Sequence, residues 1–213
     1  GTSPPLIAAN RLTVAAMLKA QGYHTACIGK WHLGLQWAKW DNPAAHKEHP
    51  GWEFDFTKPF ERGPTTLGFD SFFGITASLD MAPFAFIEND HLTAAPTAEK
   101  KWVRKGPAAP DFEAVDVLPA LTRRTIETIA ARAPDSKNGK PFFIYLPSAS
   151  PHTPIVPSPA WQGKSGLSDY ADFVMQTDSC VGEVLAALDK NGIADNTLVI
   201  FTSDNGCSPA ADI

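Results

Sequence analysis

The segment Tyr23-His24-Thr25-Ala26-Cys27-Ile28-Gly29-Lys30-Trp31-His32 changes over a short distance from a mainly apolar run to charged and polar residues. Its first part, Tyr23 to Ile28, is bounded by glycines, which is typical of a short buried strand. Before it, Arg11 to Ala20 carries apolar residues at helical spacing, with Asn10 placed to cap the helix. A helix followed by a strand that ends in polar residues is the repeating unit of α/β sheets.

The same order of elements recurs further along the chain. A helix predicted over Val117 to Ala133 precedes the apolar run Phe142 to Leu146, which is typical of a strand buried on both faces. A second helix, Ser168 to Asn191, carries an apolar stripe that is expected in the core and includes Val174 and Leu185, and it precedes a third predicted strand, Thr197 to Phe201. This alternation predicts an α/β fold with a mostly parallel sheet covered by helices. No repeat or linker divides the chain, so we expect one domain.

The composition of the chain excludes several classes of function. The chain has 213 residues, 44% of them hydrophobic, and a net charge of −5, which suits a folded core and argues against general nucleic-acid binding. The basic cluster Lys100 to Lys105 is interpreted as a solvated face, and tryptophans such as Trp31 and Trp52 as packing residues. No apolar run is long enough for a membrane span, and no leader-like segment opens the chain. The three cysteines do not form a disulfide framework or a paired-cysteine metal site.

Polar side chains follow each predicted strand: Lys30 and His32, then His152, then Asp204 and Asn205. Sites in open α/β sheets form at the carboxyl ends of the strands. Residues two apart on an extended chain face the same side, so a lysine and a histidine could share one bound anion there while the tryptophan between them packs away. Adjacent Asp and Asn side chains are oxygen donors that suit calcium or magnesium.

These motifs resemble those of a known family. Residues Gly22 to Gly34 are similar to the second signature of the sulfatases, and Pro151-His152-Thr153-Pro154 and Ser203-Asp204-Asn205-Gly206 match two further motifs in the family's order. The similarity includes Gly68 to Asp80 and is closest to bacterial arylsulfatases of the type-I, formylglycine-dependent kind. This resemblance implies an alkaline-phosphatase-like α/β fold and hydrolysis of the sulfate ester of a sugar or aryl alcohol.

The resemblance also implies roles for individual residues. Lys30 would hold the sulfate and the nucleophile, His32 would bond the aldehyde hydrate, and His152 would donate a proton toward the leaving oxygen. Ser78, in the stretch Thr76-Ala77-Ser78-Leu79-Asp80, aligns with a sulfate-contacting serine of some members. Cleavage at sulfur requires the anionic oxygens to be held by cations and the leaving alcohol to be protonated, which this set of side chains could supply.

The metal and the nucleophile follow from the same resemblance. Asp204 and Asn205 would bind one calcium ion, and the nucleophile would be a formylglycine made from the first residue of a C/S-x-P-x-R motif. None of the three cysteines lies in such a motif, and Ser3-Pro4-Pro5-Leu6-Ile7 lacks the arginine. We therefore expect residues 1–213 to be the central part of a longer catalytic domain, truncated at both ends, with the nucleophile upstream of residue 1. The fragment alone is then expected to be inactive.

Two other functions remain open at this point. A phosphoesterase or phosphonate hydrolase of the same superfamily could use the same fold, because the fold does not fix the transferred group. A non-catalytic protein could keep the anion pocket to bind a glycan. The family also implies a periplasmic or secreted location and a small-molecule or glycan sulfate ester as the substrate, while the oligomeric state and the identity of the ester are not encoded in any recognisable pattern.

Overall fold

The structure is a computed structural model that describes residues 1–41 and 46–207. Its helices are α1 (Val14–Ala20), α2 (Ala114–Lys137) and α3 (Asp169–Lys190), with 3₁₀ turns at Pro64–Leu67 and Ala194–Asn196. Its strands are β1 (His24–Lys30), β2 (Ser71–Ile75), β3 (Ile87–Glu88), β4 (His91–Leu92), β5 (Ala98–Lys101), β6 (Lys105–Ala108) and β7 (Phe142–Tyr145).

The central sheet has the strand order β4-β3-β2-β1-β7. β1 lies in the middle and runs parallel to β2, from the pair Ala26 and Ser71 to the pair Lys30 and Ile75. It also runs parallel to β7, while β3 and β4 add an antiparallel edge. The predicted α/β class with a mostly parallel central sheet is confirmed. The carboxyl ends of β1, β2 and β7 therefore meet at one edge.

Local chemistry explains where α1 begins and why α2 starts earlier than predicted. The Thr13 hydroxyl accepts a hydrogen bond from the Ala16 N–H at 3.1 Å, so α1 begins at Val14, and the predicted start near Asn10 is wrong. α2 extends beyond the predicted Val117 to Ala133 at both ends, because its buried positions continue to Ala114 on one side.

The predicted burial of two elements is wrong. β7 is half-buried instead of fully buried, with Tyr145 43% exposed, because β7 is the last strand at its side of the described sheet. On α3, whose predicted range is confirmed, Val174 and Leu185 of the expected core stripe are about 40% exposed. The apolar stripe of α3 is therefore buried only in part by the described residues.

The third predicted strand, Thr197 to Phe201, is not a strand in the structure. A strand is completed by hydrogen bonds to a neighbour, and in the described part of the chain this segment pairs with none. Its apolar side chains are consequently exposed, with Leu198 at 87% and Phe201 at 78%. The residues that follow it, Asp204 and Asn205, are exposed as well.

The core lies between the sheet, α2 and the long connection after β1. Trp31 and Trp52 are buried in it, which confirms that they are packing residues. β5 and β6 form a separate two-stranded hairpin that packs beside the segment after β2. No helix in the described part of the chain is long and apolar enough to cross a membrane.

Candidate active site at the carboxyl edge of the central strands

Backbone hydrogen bonds hold the chain after β1 between the chains that leave its two neighbours. The Lys30 N–H donates to the Pro147 carbonyl at 2.8 Å, on the β7 side. The His32 N–H donates to the Thr76 carbonyl at 2.9 Å, on the β2 side. Chain segments that are far apart in the sequence therefore meet at Lys30 and His32. The sequence predicts this meeting for the ends of β1 and β7, the first two of the three predicted strands.

Between them, Trp31 turns into the core. It is 4% exposed, its indole contacts Phe69 and Phe72, and its Nε1–H donates to the Gly34 carbonyl at 2.9 Å. This confirms that Trp31 packs away from the edge. His32 is exposed and has a φ of +54°, a left-handed conformation that is uncommon for residues other than glycine and is found more often at functional sites.

Ser78 lies directly against His32. Its hydroxyl oxygen is 3.1 Å from His32 Nδ1, and the serine is 1% exposed. This contact depends on the register of β1 and β2, which pairs Lys30 with Ile75 and so brings the turn after β2 next to the chain after β1. The structure thus places Ser78 with Lys30 and His32 at the same edge.

The pKa of His32 lies below its ordinary value. Partial burial of the ring contributes most, and the positive charges of Lys30 and of the chain's amino terminus follow; His152 acts in the same direction and Asp80 opposes them. The imidazole is therefore neutral at pH 7. The charges of Lys30, His152 and Asp80 are thus near enough to His32 to act on it.

His152 reaches this edge from the chain after β7. Its Nδ1 lies 2.7 Å from the Thr153 carbonyl, and because a carbonyl only accepts, Nδ1 carries the hydrogen. This leaves Nε2 of an exposed ring free to exchange a proton with a bound molecule. The chain before it is fixed to α3, since the hydroxyls of Ser148, Ser150 and Thr177 form a chain of hydrogen bonds, each 2.8 Å long.

Asp80 also lies beside this group, and its place there is not predicted from the sequence. It is 9% exposed, its Oδ2 lies 3.7 Å from a guanidinium nitrogen of Arg104, and its negative charge acts on His32. The sequence signal is its place two residues after Ser78, but an aspartate in a turn has an ordinary structural explanation. Its burial is visible only in the fold.

Asp204 and Asn205 do not join this group in the described residues. Asp204 acts on Tyr145 at the end of β7, where it adds to the effect of burial in raising the pKa of that phenol. Calcium takes six to eight oxygen ligands. No group of three or more His, Cys, Asp or Glu side chains that could hold a metal occurs among the residues that the structure describes, and the assignment of Asp204 and Asn205 to calcium stays a prediction.

An α/β sheet with cationic and hydroxyl side chains at its carboxyl edge is the arrangement of an α/β domain that binds an oxyanion there. The sulfatase family model matches residues 2–211, and the chain belongs to the sulfatase family. The expected alkaline-phosphatase-like fold is therefore confirmed.

Individual relatives agree with this membership. The chain is 30% identical over 247 aligned positions to an N-acetylgalactosamine-6-O-sulfatase of Bacteroides thetaiotaomicron, covering 97% of this chain and 45% of the relative. It is also 30% identical over 215 positions to arylsulfatase A of Homo sapiens, covering 92% and 35%. The chain thus spans less than half the length of these curated relatives.

Solved structures show the same fold. A structure from work on glycosaminoglycan metabolism by Bacteroides thetaiotaomicron matches with a TM-score of 0.78 and 27% identity, covering 96% of this chain and 47% of that one. The protein Ps i-CgsB, solved in complex with k-i-k-neocarrahexaose, matches with a TM-score of 0.59 over 92% of this chain and 41% of that one. At 18% identity, this second match shows the fold alone.

Proposed function

We propose that this chain supplies the anion-binding half of an active site that hydrolyses the sulfate ester of a sugar or aryl alcohol. The observation that carries the proposal is the convergence of Lys30, His32, Ser78 and His152 at one edge of the sheet. A cation, a buried hydroxyl and two imidazoles are the groups that a tetrahedral anion with a departing alcohol requires.

Each side chain has a distinct task in this proposal. The ammonium of Lys30 neutralises negative charge on the non-bridging sulfate oxygens, an effect that is large in a partly desolvated site. The neutral His32 and the hydroxyl of Ser78 hold each other in place at 3.1 Å, which orients both for hydrogen bonds to the bound group. His152, whose Nδ1–H donates to the Thr153 carbonyl, acts as the imidazolium: Nε2 gives its proton to the leaving oxygen and the ring returns to its neutral form.

The nucleophile in this proposal is supplied by the full-length protein. The 213 residues contain no C/S-x-P-x-R motif, so the formylglycine would derive from a cysteine or serine upstream of residue 1. When present, its hydrated aldehyde supplies the oxygen that attacks sulfur. The neutral state of His32 at pH 7 suits this arrangement, because a neutral imidazole can accept a proton from such a hydroxyl.

Calcium is a further part of the proposal. The oxygen donors of Asp204 and Asn205 are of the type that calcium prefers, and we propose that they supply two of its ligands in the full-length protein. Isothermal titration of calcium into the full-length protein and into its Asp204→Ala variant tests this. Equal affinity in the two proteins would exclude Asp204 as a ligand.

The activity is tested with two esters of the same alcohol. The full-length protein is incubated with 4-nitrophenyl sulfate and with 4-nitrophenyl phosphate, and mass spectrometry determines whether a cysteine or serine has become formylglycine. We expect the aldehyde to be present and the sulfate ester to have the higher kcat/KM. A preference for the phosphate ester would favour the phosphoesterase alternative, and a protein with neither aldehyde nor turnover would be an anion-binding protein.

The family's usual location is part of the same proposal. We propose that the full-length protein acts in the periplasm or outside the cell, where sulfated glycans are accessible. Fractionation of the producing cells, with immunodetection of this domain, tests it. Recovery of the protein only in the cytosolic fraction would contradict this location.

A further inference from the structure

A groove between α2, α3 and the loop 158–165 lies outside the proposed active site. Its lining includes none of the side chains that we place in that site. Its volume of about 360 Å³ is at the lower end of the range for small-molecule sites in proteins, about 300 to 1,000 Å³. The groove is therefore large enough for one small ligand.

Two buried side chains of α3 hold the loop in place. Asp172 is 1% exposed and accepts hydrogen bonds from the Gly163 N–H at 2.6 Å and the Ser165 N–H at 2.7 Å. Gln176, one helical turn further along, accepts a hydrogen bond from the Ser158 N–H at 2.8 Å through its Oε1. The side of the groove that the loop forms is thus fixed before a ligand binds, which lowers the entropic cost of binding.

The amide nitrogen of Gln176 is a donor without an acceptor in the described part of the chain. Gln176 is 3% exposed and lines the groove. The enclosed unpaired side-chain atoms of the described residues belong to His24, Trp40 and Asp80, so Nε2 of Gln176 is not sealed off from the groove. A buried amide with its oxygen paired and its nitrogen accessible indicates a ligand that carries a hydrogen-bond acceptor.

Charged side chains line the groove from both helices. Arg123 and Glu127 belong to α2 and Glu183 belongs to α3. None of the three forms an ion pair with another residue that the structure describes. Cys180 lines the groove as well, and because burial raises the pKa of its thiol, it adds no charge at pH 7. The groove thus offers unpaired donors and acceptors of both signs.

The loop supplies an aromatic side. Trp161 lines the groove and is half-buried, and its backbone N–H donates to the Ser158 carbonyl at 2.8 Å. The Lys164 ammonium lies 5.6 Å from the centre of the indole, a cation–π contact that helps to hold the ring. The indole is a flat apolar surface that loses little side-chain entropy when a ligand packs on it.

This lining disfavours several kinds of ligand. A sulfate or phosphate ion would meet the negative charges of Glu127 and Glu183. The described residues hold no group of three or more His, Cys, Asp or Glu side chains suited to a metal. A purely apolar molecule would desolvate the charged groups without pairing them. The groove therefore fits a neutral molecule that has an apolar face and hydroxyl groups, which both donate and accept hydrogen bonds.

We propose that this groove is a second binding site, for a neutral sugar ring. The apolar face of the sugar packs on Trp161. Its hydroxyl groups donate to Glu127 and Glu183, and its oxygen atoms accept from the groups beside them. Those donors are the guanidinium of Arg123 and the amide of Gln176. This binding does not depend on the proposed hydrolysis of sulfate esters.

The test is a calorimetric titration of the full-length protein with galactose and with N-acetylgalactosamine. Each titration is repeated in saturating sodium sulfate, which fills the proposed active site and leaves the groove free. We expect at least one of the two sugars to bind, with a dissociation constant that sulfate changes less than twofold. Loss of sugar binding in sulfate would overturn the inference, because the sugar would then occupy the active site.

Three variants and a control assign the binding to the groove. Glu183→Gln and Trp161→Ala each remove one contact, and Gln176→Glu keeps the acceptor for the Ser158 N–H while it removes the donor. We expect each to raise the dissociation constant by roughly 10-fold or more. Asp189→Asn changes an exposed carboxylate of α3 that does not line the groove, and should leave the constant unchanged.

Thermal melting shows which variants keep the fold. Because Glu183 is exposed and its replacement has the same shape, Glu183→Gln tests the site even if a change at Gln176 disturbs the loop. Binding of neither sugar, or an unchanged dissociation constant in every folded groove variant, would overturn the inference. Hydrolysis of sulfate esters is measured separately, so either result leaves the proposed function standing.

Discussion

Lys30 and His32 could be predicted as a pair from their spacing after a strand, although the chain leaves the extended conformation at His32, whose φ is +54°. Ser78 could be proposed only from the resemblance, and Asp80 was not predicted. The difference is physical: the positions of the last two depend on the register between β1 and β2, which sequence spacing does not determine. His152 was predicted from its motif, but its fixed tautomer depends on the Thr153 carbonyl.

The role of Lys30 leads to a prediction about activity. In the full-length protein, Lys30→Met is expected to lower kcat/KM for the sulfate ester by roughly 100- to 1000-fold, because a charge that stabilises the anionic transition state is lost. The matched control is Lys140→Met, an exposed lysine at the amino end of β7 on the opposite edge of the sheet. Equal kcat/KM for the two variants would show that Lys30 is not in the site.

The charges around His32 lead to a prediction about its protonation. Its pKa is lowered by burial and by Lys30, so as the pH falls below 7 it takes up its proton later than a free histidine does. Lys30→Met removes one of these effects and should move the His32 pKa upward, toward the ordinary value of about 6.5, although burial remains. NMR titration of the ring signals measures the shift. A pKa that does not move would show that the charge of Lys30 does not act on His32.

At the scale of elements, the approach of β7 to β1 depends on Gly29. Its φ is +151°, outside the range that other residues readily adopt, and a Cβ there would lie 2.1 Å from the Pro147 carbonyl oxygen. Pro147 is also the acceptor for the Lys30 N–H. The glycine therefore permits the contact that brings His152 toward the end of β1.

Gly29→Ala is accordingly expected to lower the free energy of unfolding by roughly 2 to 4 kcal/mol, from backbone strain and the clash together. Gly182→Ala is the control, since it lies inside α3 with nothing within 4 Å of its Cβ. That variant should gain about 0.5 to 1 kcal/mol, because alanine favours a helix more than glycine does. Chemical denaturation measures both, and changes of the same sign would contradict this explanation.

The segment Thr197 to Phe201 shows where prediction from local pattern fails. Its five residues have the composition of a buried strand, but composition cannot supply the neighbouring strand that completes the hydrogen bonds. In the described chain its side chains are exposed instead. Asp204 and Asn205, which follow this run, are exposed for the same reason, and their role as calcium ligands stays a prediction.

Hydrogen exchange tests this difference. In the 213-residue chain, the amides of Leu198 to Phe201 are expected to exchange rapidly, whereas those of Ala26 to Ile28 in the centre of β1 should be protected by their ladders to β2 and β7. Mass spectrometry of peptides from the two segments provides the comparison within one sample. Equal protection would mean that Thr197 to Phe201 pairs with another strand after all.

For the molecule as a whole, the fold class followed from alternating helix and strand patterns, and the family match agrees with it. The convergence of distant residues required the strand order β2-β1-β7, which sequence periodicity does not give. The central claim is therefore spatial: side chains after β1, β2 and β7 hold one oxyanion together.

Titration of sulfate into the isotopically labelled chain, followed through the ring signals of His32 and His152, tests that claim most directly. Both imidazoles are expected to respond with one shared dissociation constant, and Lys30→Met is expected to weaken sulfate binding at both. A response of one histidine without the other, or two different dissociation constants, would contradict a single binding site at this edge of the sheet.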